Sequence, residues 1–97
     1  NEEDSPGYPD CREVYYEAYN KLISLGTKEG NIQVETPVIR LKKAQIINIA
    51  NELNAPLEMT WSCYEREDKA CGVCDSCALR LRAFKELNQE DPIEYIK

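Results

Sequence analysis

The chain has 97 residues, with 12 Lys+Arg against 18 Asp+Glu for a net charge of -6, five cysteines and no histidine. That length suits one small domain or part of a larger one, and the acidic balance gives no general support for a nucleic-acid or membrane partner. No apolar run approaches the ~20 residues of a membrane-spanning helix, and Asn1–Asp10 does not read as a signal peptide, so free thiols fit a reducing cytoplasm.

Asn1–Ser5 is a polar lead-in, and Gly7-Tyr8-Pro9-Asp10 reads as a turn. Asp10 is a candidate N-cap, with Glu13 completing a capping-box pattern. Tyr15, Tyr19, Leu22 and Ile23 recur at helical spacing, which predicts a helix over Cys11–Leu25 closed by Gly26. Its tyrosines read as packing residues. Cys11 falls on the first turn, where amide dipoles and Arg12 can activate a thiol; a small, partly buried side chain is the plainer reading. Thr27–Gly30 is a turn. Asn31–Glu35 alternates Ile32 and Val34 with polar residues and predicts a short strand, ended by Thr36-Pro37. Ile46, Ile49, Ala50 and Leu53 predict a second helix over Lys43–Leu53, weakly capped because Lys42 precedes it and stopped by Asn54 and Pro56.

Leu57–Trp61 is apolar, and Trp61 reads as a core residue. Cys63, Cys71, Cys74 and Cys77 follow at C-x7-C-x2-C-x2-C. The x2 gaps are too short for ordinary disulfides but bring sulfurs to one ion at about 2.3 Å each. Four sulfurs and no histidine point to a closed, structural zinc site with no open position for a catalytic water. An iron–sulfur cluster and redox thiols are the competing readings; a disulfide scaffold is disfavoured by the odd cysteine count. With zinc bound to four thiolates the chain carries about -8. Glu65–Lys69 reads as a solvated excursion. Leu79, Ala83 and Leu87, widened by Leu81 and Phe84, predict a last helix over Ser76–Asn88, capped by Asp75 or Ser76. It starts at the metal, where its N-terminal amides, with Arg80 and Arg82, can offset the thiolate charge. Asp91-Pro92 ends it, leaving Pro92–Lys97 as a tail.

A lone strand leaves its backbone groups unpaired, so the pattern reads as part of an α/β structure. The missing strands would come from residues before Asn1 or from another chain. Residues 1–97 are taken as a single segment of a larger domain, with 7–56 forming helix–strand–helix and 57–90 the zinc loop and last helix.

Four blocks stand in order: Gly7-Tyr8-Pro9-Asp10-Cys11-Arg12; Glu35-Thr36-Pro37-Val38-Ile39; Leu41-Lys42-Lys43-Ala44-Gln45-Ile46; and Thr60-Trp61-Ser62-Cys63-Tyr64 with Cys71-Gly72-Val73-Cys74-Asp75-Ser76-Cys77-Ala78-Leu79-Arg80. Together they resemble the C-terminal part of the 7-cyano-7-deazaguanine synthases, over about Gly7–Leu87. The resemblance implies the C-terminal part of an adenine-nucleotide α-hydrolase-like (Rossmann-like) fold. It also implies an ATP-dependent ligase that converts 7-carboxy-7-deazaguanine and ammonia to the nitrile preQ0 for queuosine or archaeosine. The family's zinc ligands fall on Cys63, Cys71, Cys74 and Cys77. Asp10, Arg12 and Lys43 become candidates for the substrate end. The family's Ser-Gly-Gly-x-Asp-Ser loop, which serves ATP with Mg, has no match here, and the four glycines form no phosphate cradle. The chain is therefore expected to need an N-terminal nucleotide-binding portion, to be inactive alone, and to work in a homodimer without touching nucleic acid. A free-standing zinc module that binds protein or nucleic acid is the alternative.

Overall fold

Helix formation in the first third starts later than the capping signal suggests. The computed structural model describes residues 1–97. Pro9–Cys11 forms a single 3-10 turn, and helix α1 runs Glu13–Gly26. Asp10 is therefore not the cap: Arg12 holds that position in extended conformation, without a side-chain cap bond. Pro9 at the front of the 3-10 turn fixes its φ there and tightens the chain before α1 can begin. Gly26 is the last helical residue rather than the residue beyond it. Thr27 ends the helix through its amide and its hydroxyl, both bonded to Ile23 O, at 3.0 and 2.8 Å.

The contacts divide the chain into two units, Asn1–Lys42 and Lys43–Lys97. The first has no buried residue. Val14, Leu22 and Leu25 stand exposed on α1, and Tyr15 stacks on Tyr19 at 5.9 Å while meeting Tyr16 edge-on at 5.1 Å. Polar bonds hold this unit instead. Glu2 N–H donates to Leu41 O at 3.0 Å, and Arg40 forks onto Glu13, with Nη2 to Oε2 at 3.1 Å.

The expected strand at Asn31–Glu35 is absent: the segment is irregular, and no strand forms anywhere in residues 1–97. A strand is a relation between two backbones, and no second backbone pairs with this one. A side chain takes that role. The Asn20 amide accepts from Val34 N–H through Oδ1 at 2.7 Å and donates to Val34 O through Nδ2 at 3.3 Å. One carboxamide thus offers Val34 the donor and acceptor that a neighbouring strand would supply.

In the second unit α2 (Lys43–Glu52) packs against α3 (Asp75–Glu86). Their shared core is Ile47, Ala83 and Phe84, edged by Ala44, Leu57 and Leu87. The inward line on α2 is therefore Ala44–Ile47 (i, i+3), and the predicted Ile49 and Leu53 face outward. Asn54 stops α2 in the left-handed region at φ 55°, which asparagine tolerates well, and Asn88 at φ 54° follows α3. The cap of α3 is neither Asp75 nor Ser76 but Cys74, whose sulfur accepts from Cys77 N–H.

Arg80, in the middle of α3, is buried and does not face the cysteines. Its Nε and Nη2 reach Asp91 at 2.5 and 3.0 Å, Nη2 also reaches Leu57 O at 3.3 Å, and its guanidinium lies over the Phe84 ring at 5.7 Å. Both charges are out of water, at 8% and 2% side-chain exposure. Such a pair adds little net stability but is costly to break from one side. No helix is long and apolar enough to cross a membrane.

The Asn20 bonds give a direct expectation. Asn20→Ala leaves both backbone groups of half-buried Val34 to water and costs that segment about 1 kcal/mol of local order. Amide hydrogen exchange at Val34 should accelerate by at least about fivefold, with exchange in α3 unchanged. Equal Val34 rates in the two proteins would show that the amide holds nothing.

Candidate metal centre

The four spaced cysteines come together between Ser62 and the start of α3. Cys63, Cys71 and Cys77 are buried and Cys74 is half-buried; all four sulfurs lie within 4.8 Å of one another. None is in a disulfide. Cys71 Sγ and Cys77 Sγ are 3.9 Å apart, far beyond a ~2.05 Å bond. Four ligands at 2.3 Å on a tetrahedron stand about 3.8 Å from each other, so one ion fits with a contraction of no more than ~1 Å.

Backbone amides converge on the sulfurs. Cys63 Sγ accepts from Glu65 and Cys71 N–H, both at 3.4 Å. Cys71 Sγ accepts from Val73 at 3.4 Å and Cys74 at 3.3 Å, and Cys74 Sγ from Cys77 at 3.4 Å. Gly72, at φ +78°, makes the turn that aims the Val73 and Cys74 amides backward. The Cys71 N–H, followed by those of Glu65 and Arg66, draws the Cys63 thiol down from 9.0 to about 6 against the opposing effect of burial. The N–H of Tyr64, then that of Cys77, lowers the Cys74 thiol as well. Burial pushes Cys77 the other way, up to about 12. The thiols are therefore unequal: amide donors favour thiolate at Cys63 and Cys74, and burial resists it at Cys77.

Trp61 is not the core residue that the sequence suggests. It is substantially exposed, and its indole N–H lies 3.1 Å from both Cys63 O and Arg66 O, pinning the loop's first turn. Glu65–Lys69 is exposed as expected, though ordered: Arg66 grips Asp68 through two bonds at 2.9 and 2.7 Å. Pro92–Lys97 is not a loose tail. It pairs in parallel with Ala70 through a bridge at Tyr95. A six-residue polar–apolar stretch that opens on Pro92 carries too little periodic signal for sequence reading to have found this.

The candidate substrate residues fall in both units. Asp10 is exposed in the 3-10 turn. Arg12 donates to Ser5 O at 2.9 Å and Pro6 O at 3.4 Å, and lines with Cys11 and Arg40 an open cleft of about 330 Å³. Lys43 is the half-buried first residue of α2, in the other unit.

The family model of queuosine biosynthesis protein QueC matches residues 1–88. The chain belongs to that family. It is 60% identical over 94 residues to the 7-cyano-7-deazaguanine synthase of Acidobacterium capsulatum, covering 97% of this chain and 41% of that protein. The synthase of Chlorobium chlorochromatii is 61% identical over 95 residues, covering 97% and 42%. That of Sulfurovum sp. is 60% identical over 97 residues, covering 99% and 44%. The chain thus spans less than half the length of these relatives. No solved structure matches it.

The unequal thiols predict how loading depends on pH. With its thiol drawn down to about 6, Cys63 is largely thiolate near pH 7.5, so filling the four-cysteine site with Cd²⁺ there should release fewer than four protons per ion. In the metal-free chain the depressed Cys63 contributes stability above its ordinary 9.0, lost as pH falls through about 6. Calorimetry in two buffers of different ionisation heat counts the protons. A full four would contradict the depressed Cys63.

Proposed function

We propose that this chain is the metal-bearing C-terminal part of a 7-cyano-7-deazaguanine synthase and that its four cysteines hold one structural zinc ion. The observation that carries the metal reading is the convergence of Cys63, Cys71, Cys74 and Cys77 within 4.8 Å, with amide donors on three of the sulfurs. That spacing encloses a single ion, whereas a polynuclear cluster holds its thiolates farther apart. Zinc bound there supplies charge and a cross-link, since all four positions belong to the protein. The chain's residues supply the rest: the Cys77 amide, in the first turn of α3, bonds Cys74 Sγ, and Trp61 fixes the loop's approach.

In this reading the synthase joins an adenine-nucleotide α-hydrolase-like fold, acts in the cytoplasm, and takes ATP with Mg through residues outside this chain. ATP activates the carboxylate of the 7-carboxy-7-deazaguanine substrate, ammonia forms the amide, and a second activation leads to the nitrile. Activation of a carboxylate needs cationic groups near the transferred phosphate or nucleotidyl oxygens. Arg12 and Lys43 are the candidates, with Asp10 as a polar contact to the deazaguanine or ammonia. The relatives' shared name and the 97–99% coverage of this chain support the reading. A partner nucleotide-binding portion and a homodimeric assembly complete it.

Two measurements test it. Cys74→Ser should weaken zinc binding more than about 100-fold and lower the melting temperature of the zinc-treated protein toward the metal-free value. Full zinc stoichiometry and stability in that variant would refute the centre. The chain joined to an N-terminal nucleotide-binding part should turn 7-carboxy-7-deazaguanine, ammonia and ATP into the nitrile, detected by mass. The chain alone should not. A joined protein that binds ATP and zinc yet forms a different product would place it in another reaction.

A further inference from the structure

The segment Asp91–Ile96 contributes no sulfur, yet it lies against the metal loop along most of its length. Ala70, next to Cys71, is wholly buried, and both of its backbone groups depend on this segment. Its N–H donates to Glu94 O and its carbonyl accepts from Ile96 N–H, each at 2.9 Å. Ile93 and Tyr95 pack onto the cluster of Cys63, Ala70, Cys71 and Cys77. The Tyr95 ring lies against Gly72, with Cδ1 3.6 Å from where a Cβ would stand. Lys69 and Glu94 add an exposed ion pair at 3.8 Å.

What anchors the segment is Asp91. Its carboxylate takes Arg80 through both oxygens, Ile93 N–H at 3.1 Å and the Tyr95 hydroxyl at 2.5 Å. Tyr95 therefore connects two things that are otherwise separate: the ion pair at the middle of α3 and the turn between Cys71 and Cys74. Neither Arg80 nor Asp91 touches a sulfur, so they act on the centre only through the segment they hold.

We propose that Asp91–Ile96 is a strap that sets how fast metal leaves the four-cysteine centre, with Tyr95 as its positioning residue; this rests on the metal reading above. Complete release frees the ion from every ligand, including Cys71 and Cys77, whose sulfurs stand 3.9 Å apart. Cys77 is held in α3, so separating this pair moves Cys71, and Ala70 moves with it. That displacement orphans two buried backbone groups unless the strap lifts first. Opening of the strap is thus the step that precedes release.

The test uses the full chain loaded with Zn²⁺ and mixed with excess of a colour-forming zinc chelator, so that absorbance reports the rate of release. Tyr95→Ala removes the ring and the hydroxyl. Ile96→Pro removes one N–H donor while leaving the buried ion pair intact. Both should release zinc about tenfold faster or more, each lost buried bond being worth roughly that factor. Tyr95→Phe, which keeps the ring over Gly72, should fall between. Zinc stoichiometry and helix content of the loaded proteins should stay at the parent values, which separates a strap from a general structural role. Unchanged release in both Tyr95→Ala and Ile96→Pro overturns the strap while leaving the centre in place. Faster release matched by lost helix content overturns it in favour of plain destabilisation. A parent chain that takes up no zinc removes the centre itself, and the strap with it.

Discussion

Four sulfurs brought within 4.8 Å would repel one another as thiolates, and much of Lys43–Lys97 is arranged to hold them there. Local folding supplies the first part of the answer: the turn at Gly72 and the start of α3 aim backbone amides at Cys71 and Cys74. Packing supplies the second. Phe84 and Ala83 seat α3 on Ile47 of α2, so the helix that carries Cys77 cannot drift. The remaining charge is what a bound ion would neutralise.

The two units differ in what they rely on. In Lys43–Lys97, apolar burial, a buried ion pair and the cysteine cluster support one another. In Asn1–Lys42 no side chain is buried, and order rests on paired polar groups such as Glu13 with Arg40 and Asn20 with Val34. Individual polar bonds of that kind contribute little where water competes. The exposed Val14, Leu22 and Leu25 accord with a unit that presents an apolar helix face.

Several features were legible from sequence because their signals are local. The x2 spacings identify Cys71, Cys74 and Cys77 as a converging set, and the periodicity of Lys43–Leu53 and Ser76–Asn88 places two helices to within two residues at each end. The misses are relations between distant residues. Alternation at Asn31–Glu35 described a segment fit to be a strand but could not supply its partner. The inward line of α2 fell on Ile47 because α3 meets that side, which periodicity alone does not select. Arg80 reads as a cation that offsets the thiolate charge until Asp91, eleven residues on, folds back to meet it. Trp61 has the composition of a core residue and the position of a loop pin.

The turn at Gly72 places strict and permissive positions side by side. Gly72 needs its left-handed φ, while Val73, one residue on, is 85% exposed and lends only its amide to Cys71. A non-glycine residue at 72 would strain the backbone, whereas nearly any side chain except proline suits 73. Position 73 is thus a natural attachment point for a reporter. A fluorophore there would sit beside the ligands without replacing one, and would register the opening and closing of the centre from its own rim.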